Sequence, residues 1–329
     1  MSLKSPATLL FLGLLAVFFV SLSVGSTSIP VLEGLFAWAR GQAGIAALII
    51  GEIRLPRALL ALCVGAALGL SGAALQGLLR NPLADPSLTG ASSGAALGAA
   101  TTFYFGLLPG MGVFALMLTG LAGAGLTLLL TLVLAGSGRP ALLLLAGLAI
   151  SSLSGAILAA VLNFAPNPFA MQELVFWLLG SVSKGSMAHV AFLLPALLIG
   201  GILIRQQRPL LAALSLGEQT ASSLGLDVRR GACLIVLGVA ILVGTAVAVA
   251  GNVGFVGLIA PHLARPLAKN RPDCLLWPAA AIGAMFVLLA DIVSRLMPPG
   301  REIHLGVLTA LIGTPIFIRL IWKERRQWL

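Results

Sequence analysis

Charge is what this chain has least of. Only 9% of its 329 residues are Asp, Glu, Lys or Arg, 59% are hydrophobic, and the mean hydropathy is +1.08. Soluble domains carry about 25% charged residues, so a water-soluble globular fold is excluded and a polytopic membrane protein is expected. Acids are scarcer than bases, 10 against 20. No ladder of carboxylates runs through the apolar stretches, as a proton relay would require. Asp291 is the exception, and it stands four residues before Arg295, the i, i+4 spacing of a helical salt bridge. The cysteines Cys63, Cys233 and Cys274 are far apart and form neither a zinc pattern nor a disulfide framework. They read as small buried residues. His189, His262 and His304 fall in separate segments, without an H-E-x-x-H pair. There is no G-x-x-x-x-G-K-[ST] phosphate loop and no G-x-S-x-G elbow. These absences exclude a clustered nucleophile and base, a metal centre, and a nucleotide site within the chain. A net charge of +10 would suggest nucleic acid for a soluble protein. Here the basic residues stand between apolar runs, as the positive-inside rule describes, and no nucleic acid partner is expected.

What is present is a succession of apolar runs, read as one all-α membrane domain over residues 1–329. Ten candidate spans lie at about 7–27, 57–79, 88–106, 111–135, 141–162, 187–204, 231–251, 254–268, 275–297 and 303–322. The first run exceeds the 7–15 residues of a signal-peptide core and is taken as an uncleaved span. Phe169–Gly180, after the fifth span, is too short to cross. With the N-terminus inside, six basic residues (Arg40, Arg54, Arg57, Lys184, Arg295, Arg301) fall at external ends and the other fourteen at cytoplasmic ends. Both termini then lie in the cytoplasm. Five spans per half would make the halves inverted repeats, a common transporter plan. Gly65, Gly69 and Gly72 share one helix face, which predicts close helix packing rather than contact with substrate.

The stretch Glu52–Gly94 organises the rest. Its apolar middle, about 58–79, matches a bilayer core of roughly 30 Å. Arg54 and Arg57 stand at one end, and Arg80-Asn81-Pro82-Leu83-Ala84-Asp85-Pro86 breaks the helix at the other. A second apolar segment re-enters at once. Irregular backbone at membrane depth requires surrounding protein or a water-filled cavity. The polar interlude at about 210–226, LLAALSLGEQTASSLGL, is too polar to span. It reads either as an amphipathic helix lying on lipid or as a short helix pair that docks a soluble partner.

These segments resemble a family. RLPR at 54–57, the break after Arg80, LLLLAG at 142–147, LSLGE followed by Leu224-Gly225, GFVGLIAPHLAR at 254–265, ADIVSR at 290–295 and GVLTALIGTPIF at 306–317 occur in order along nearly the whole chain. The chain is similar to the transmembrane permease of type II ABC importers, which serve iron-siderophores, haem and cobalamin. The resemblance implies a homodimer of ten-helix subunits in the bacterial inner membrane. It also implies two separate ATPases, which bind ATP and Mg and leave this chain without a cofactor, and a periplasmic binding protein that delivers a metal chelate. Leu214, Leu216, Gly217, Glu218, Ala221, Leu224 and Gly225 would form the coupling helices. Arg54, Arg57 and Arg295 would meet acids of the binding protein, and membrane-interface snorkelling is their other reading. Asn81, Pro82 and Leu83 would form the cytoplasmic gate with the loop before the fifth span. That loop has Pro140 and Ala141 where the cobalamin permease has small hydroxylated residues, which weighs against cobalamin. Phe169, Met171 and Phe176 would line the pathway, or pack in the core. An ion-driven secondary transporter would need intramembrane acids or unwound carbonyl sites, and a membrane-embedded enzyme would need a catalytic cluster. The scarcity of acids and the missing clusters count against both.

Overall fold

The computed structural model describes residues 6–325, apart from 26, 28, 43, 107, 109, 137–139, 165–167 and 298–302. Arg301 and the side chain of Phe169 lie outside the described residues. Every regular element among the described residues is helical. The order is α1 (Pro6–Ser23), α2 (Val31–Ala39), and α3 (Ile45–Leu48) running through a π-helical turn (Ile49–Arg54) into α4 (Leu55–Leu79). A 3₁₀ turn (Pro86–Thr89) leads into α5 (Ala91–Phe105), α6 (Val113–Ala135), α7 (Pro140–Asn163) and α8 (Pro168–Leu178). Then come α9 (Met187–Gln206), α10 (Arg208–Leu214), α11 (Glu218–Ser223), α12 (Val228–Ala250), α13 (Val256–Ala264), α14 (Pro272–Arg295) and α15 (Leu305–Arg325).

Among the described residues, seven helical stretches are long and apolar enough to cross a membrane: α1, Ile45–Leu79, α6, α7, α9, α12 and α14. The expected third, eighth and tenth spans are shorter. α5 has 15 residues, α13 has nine, and the apolar part of α15 is Leu305–Arg319. Nine residues rise about 14 Å, under half of a bilayer core of about 30 Å. The apolar pattern overstated α13 because the run continues on both sides of it, while the backbone does not. Phe255 (φ +65°) starts the helix late, and turns from Arg265 on, where Lys269 (φ +50°) and Asn270 (φ +59°) are left-handed, end it early. In the other direction, no long apolar run marks residues 31–54. Gly34, Gly41 and Gly44 interrupt it, yet the segment forms α2 and a ten-residue extension ahead of α4.

α4 and α12 form the centre. In each, 78% of the apolar window is buried, against 17% in α1 and 28% in α7. The glycine face packs as expected. A Cβ on Gly69 would stand 2.2 Å from the Ala279 carbonyl of α14, and one on Gly72 would stand 1.8 Å from the Gly257 carbonyl of α13. Only hydrogen fits there, so the backbones approach at small residues.

Both breaks satisfy their own polar groups. Arg80 ends α4 in the left-handed conformation, its N–H donating to the Gln76 carbonyl. Asn81 Oδ1 accepts from the Leu83 N–H at 2.9 Å, and Asp85 Oδ1 from the Ser87 N–H at 2.8 Å. At the other break, Ser181 N–H donates to the Ala250 carbonyl (2.8 Å) and Leu305 N–H to the Gly180 carbonyl (2.9 Å). The open ends of α8, α12 and α15 thus pair with one another, as backbone shielded from water must.

Candidate functional site

α1 stops at Ser23, which leaves its last carbonyls without helical partners. Two arginines supply them. Arg54 Nη1 donates to the carbonyls of Leu22 (3.0 Å) and Ser23 (3.2 Å), and Nη2 to the carbonyl and hydroxyl of Thr27. Arg295 Nη1 donates to the carbonyls of Ser21 (2.8 Å) and Val24 (3.2 Å). A guanidinium there also meets the negative end of the helix dipole. The remaining charge is knotted together on Asp291, which is fully buried. Its Oδ2 accepts from Arg295 Nε (2.9 Å) and Nη2, the salt bridge that the i, i+4 spacing predicts. Its Oδ1 accepts from Arg57 Nε at 2.8 Å, and Arg57 Nη2 reaches Ser294 Oγ at 3.3 Å.

The three arginines expected to meet acids of a binding protein thus also have partners within the chain. Arg54 is 4% exposed, and the side chain of Arg295 is 8% exposed. The three arginines do share one end of the molecule, but they brace α1, α4 and α14 there. The partners were hidden from sequence reading. They lie 32 residues from Arg54 and 234 from Arg57, and those of Arg54 are mostly backbone carbonyls.

Beside the triad lies a cavity of about 370 Å³. Arg57, Asp291 and Ser294 form one wall, and Lys184, His189 and His304 stand around it. Phe176 and Trp177 of α8 supply an apolar face, and the His304 ring stacks on Phe176 with centroids 5.5 Å apart and planes at 17°. Of the expected pathway residues, Phe176 reaches this cavity, while Met171 is exposed elsewhere on α8.

The interlude is a helix pair, α10 and α11, hinged at Gly217 (φ +116°) and closed at Gly225 (φ +79°). α10 packs on α4 and α14. Leu214 and Ala221 are fully buried, so within the expected coupling set these two hold the pair to the protein. Leu216 (69% exposed) and Leu224 (64%) stand out into solvent, with Glu218 exposed between them. Both leucines are large apolar side chains that the rest of the chain leaves uncovered.

The expected gate residues are only partly brought together. Pro140 opens α7 and lines a narrow crevice with Leu78, Leu79 and Thr89. Pro82 lines a different opening, with Arg80, Ser215 and Arg265. Ala141 is exposed. Sequence reading passed over a polar link from α4 to α13 beside the second opening. Arg265 Nη2 donates to Gln76 Oε1 (3.1 Å), and Gln76 Nε2 donates to the Leu258 carbonyl (3.3 Å). Gln76 gave a signal, being one of two polar side chains in an otherwise apolar span.

Among the described residues, no group of three His, Cys, Asp or Glu side chains could hold a metal ion. The arrangement offers helix breaks, a polar cavity at one end and an exposed helix pair, which are parts for passage and docking. The model of the FecCD transport family matches residues 13–323. The chain belongs to that family. The hemin transport system permease protein HmuU of Yersinia pestis is 38% identical over 328 residues, covering 97% of each chain. The vitamin B12 import system permease protein BtuC of Salmonella typhi is 39% identical over 321 residues, covering 97% of this chain and 95% of that one. A solved inward-facing chain assigned to a metal-chelate type ABC transporter superposes with a TM-score of 0.85 and 32% identity, covering 95% of this chain and 97% of the other. The protein is therefore a multi-pass membrane permease of the type II ABC importer class, a transport subunit whose class works with an ATPase and a binding protein.

Proposed function

We propose that two copies of this chain form the channel of an ATP-driven importer that passes an iron chelate, haem or a ferric siderophore, into the cytoplasm. The observation that carries the reading is the exposed α10–α11 pair in a chain that matches its family almost from end to end. The short α5, α13 and α15 complete ten membrane helices per subunit, in halves of inverted topology, because their breaks are sealed by protein rather than lipid. The subunit sits in the bacterial inner membrane with both termini in the cytoplasm. Two ATPases bind ATP and Mg and press on Leu216, Glu218 and Leu224, while a periplasmic binding protein delivers the chelate at the Arg57–Asp291 end. Docking of its acids on Arg54, Arg57 and Arg295 requires that they displace acceptors this chain supplies. Asn81, Pro82, Leu83, Pro140 and Ala141 would form the inner gate. Pro140 and Ala141 favour an iron chelate. Cobalamin is the second reading, favoured by the 39% identity to a B12 permease. Uptake into proteoliposomes holding this chain, its ATPase and its binding protein tests both. Haem or ferric-siderophore accumulation that needs ATP and ignores a protonophore is expected. Accumulation of cobalamin alone would reverse the substrate assignment, and uptake abolished by the protonophore would overturn the ATP-driven reading.

A further inference from the structure

We infer that the cavity beside the triad binds the carboxylate-bearing edge of a flat organic ligand. The inference rests on the transport reading only in making that ligand a cargo. Asp291 is the one acid among the lining residues, and both of its oxygens are occupied by guanidinium groups. The wall therefore carries net positive charge. Arg57 spends Nε and Nη2 on Asp291 and Ser294, while no hydrogen bond holds its Nη1 among the described residues. Lys184 lines the same space and is exposed. A fork N–H and an ammonium facing one volume suit a carboxylate, which takes short charge-assisted bonds from both. The hydroxyls of Ser181 and Ser183, bonded to each other at 2.8 Å, leave one further O–H donor in the lining.

The opposite wall selects shape. Phe176 and Trp177 present apolar area, and the Phe176–His304 stack leaves a planar face. Offset stacking favours a flat conjugated partner over a branched aliphatic one. A volume of about 370 Å³ is near the lower end of the roughly 300–1,000 Å³ of small-molecule sites. The cavity thus takes an edge of a large ring system. A site that holds one edge weakly suits a conduit, which must release what it binds.

The probes are haemin, which is flat and carries two carboxylates, and haemin dimethyl ester, which keeps the ring and loses both charges. Binding to the full-length chain in lipid nanodiscs is read from the Soret band, with empty nanodiscs subtracted. Lys184→Glu is the main variant because Lys184 is exposed and its loss leaves the buried triad intact; Arg57→Gln is the second. Charged hydrogen bonds contribute about 1.5–3 kcal/mol, so each variant should weaken haemin binding about tenfold or more. The ester should bind the wild type as weakly as haemin binds Lys184→Glu, and should lose nothing further in that variant. Equal affinities for haemin and ester, or for wild type and Lys184→Glu, overturn the site. ATP-driven uptake by the complete transporter separates the two readings. Uptake with equal affinities sinks the site and leaves the transport reading standing. Carboxylate-dependent binding without uptake does the reverse.

Discussion

The two ends of the molecule spend their polar groups differently. At the Arg57–Asp291 end, three arginines spend most of their donors within the chain, on one buried acid and the open carbonyls of α1. In the α10–α11 pair, the buried residues are apolar, while Leu216, Glu218 and Leu224 face outward. The difference separates bracing from presentation. A charge with its partners already in place holds helices in register, and a large apolar side chain left in solvent is open to contact with another molecule.

The largest effect that would break this contrast is expected at Asp291. Asp291→Ala leaves two largely buried guanidinium groups without their carboxylate. Removing one member of a buried pair costs about 3–5 kcal/mol, so thermal unfolding in detergent should shift to much lower temperature, or the chain should fail to accumulate. An unchanged Tm would show the triad to be ornamental. A close second is Gly69→Leu. The Ala279 carbonyl occupies the space of its Cβ, so α4 and α14 must separate; overpacking costs about 1–3 kcal/mol or more, read as a lower Tm. Arg54→Gln comes next. It removes the guanidinium from the end of α1, a loss of about 2 kcal/mol, and hydrogen exchange should quicken in the last turn of α1 while α12 stays protected. Uniform exchange would deny Arg54 its capping role. The smallest expected effect is at Glu218. Glu218→Gln touches only an exposed position and should alter stability by less than about 0.5 kcal/mol.

How far the sequence reveals this depends on the range of each interaction. The centre of α4 was legible because an apolar run has a length that can be matched to a bilayer, and its end because prolines forbid continuation. Asp291 with Arg295 was legible at four residues' distance. Arg57 with Asp291 was not, because nothing local in either segment points to the other. The partners of Arg54 were not legible either, because they are mainly carbonyls, which every residue carries. The interlude was legible as a helix pair. Its facing was not, since Leu214 and Leu216 look alike in sequence and lie on opposite sides of the surface. α13 was overestimated because the apolar residues Pro266 and Leu267 continue the run where the helix has already ended in turns.

The split between bracing and presentation is tested most directly by two measurements made together on Leu216→Arg and Arg54→Gln: thermal stability, and co-purification of the ATPase. The account predicts a crossing. Leu216→Arg should keep the wild-type Tm within about 1 °C, since exposed substitutions are near neutral, and should lose the ATPase. Arg54→Gln should lower the Tm and retain the ATPase in whatever fraction remains folded. ATPase retained by Leu216→Arg, or Arg54→Gln as stable as the wild type, would contradict it.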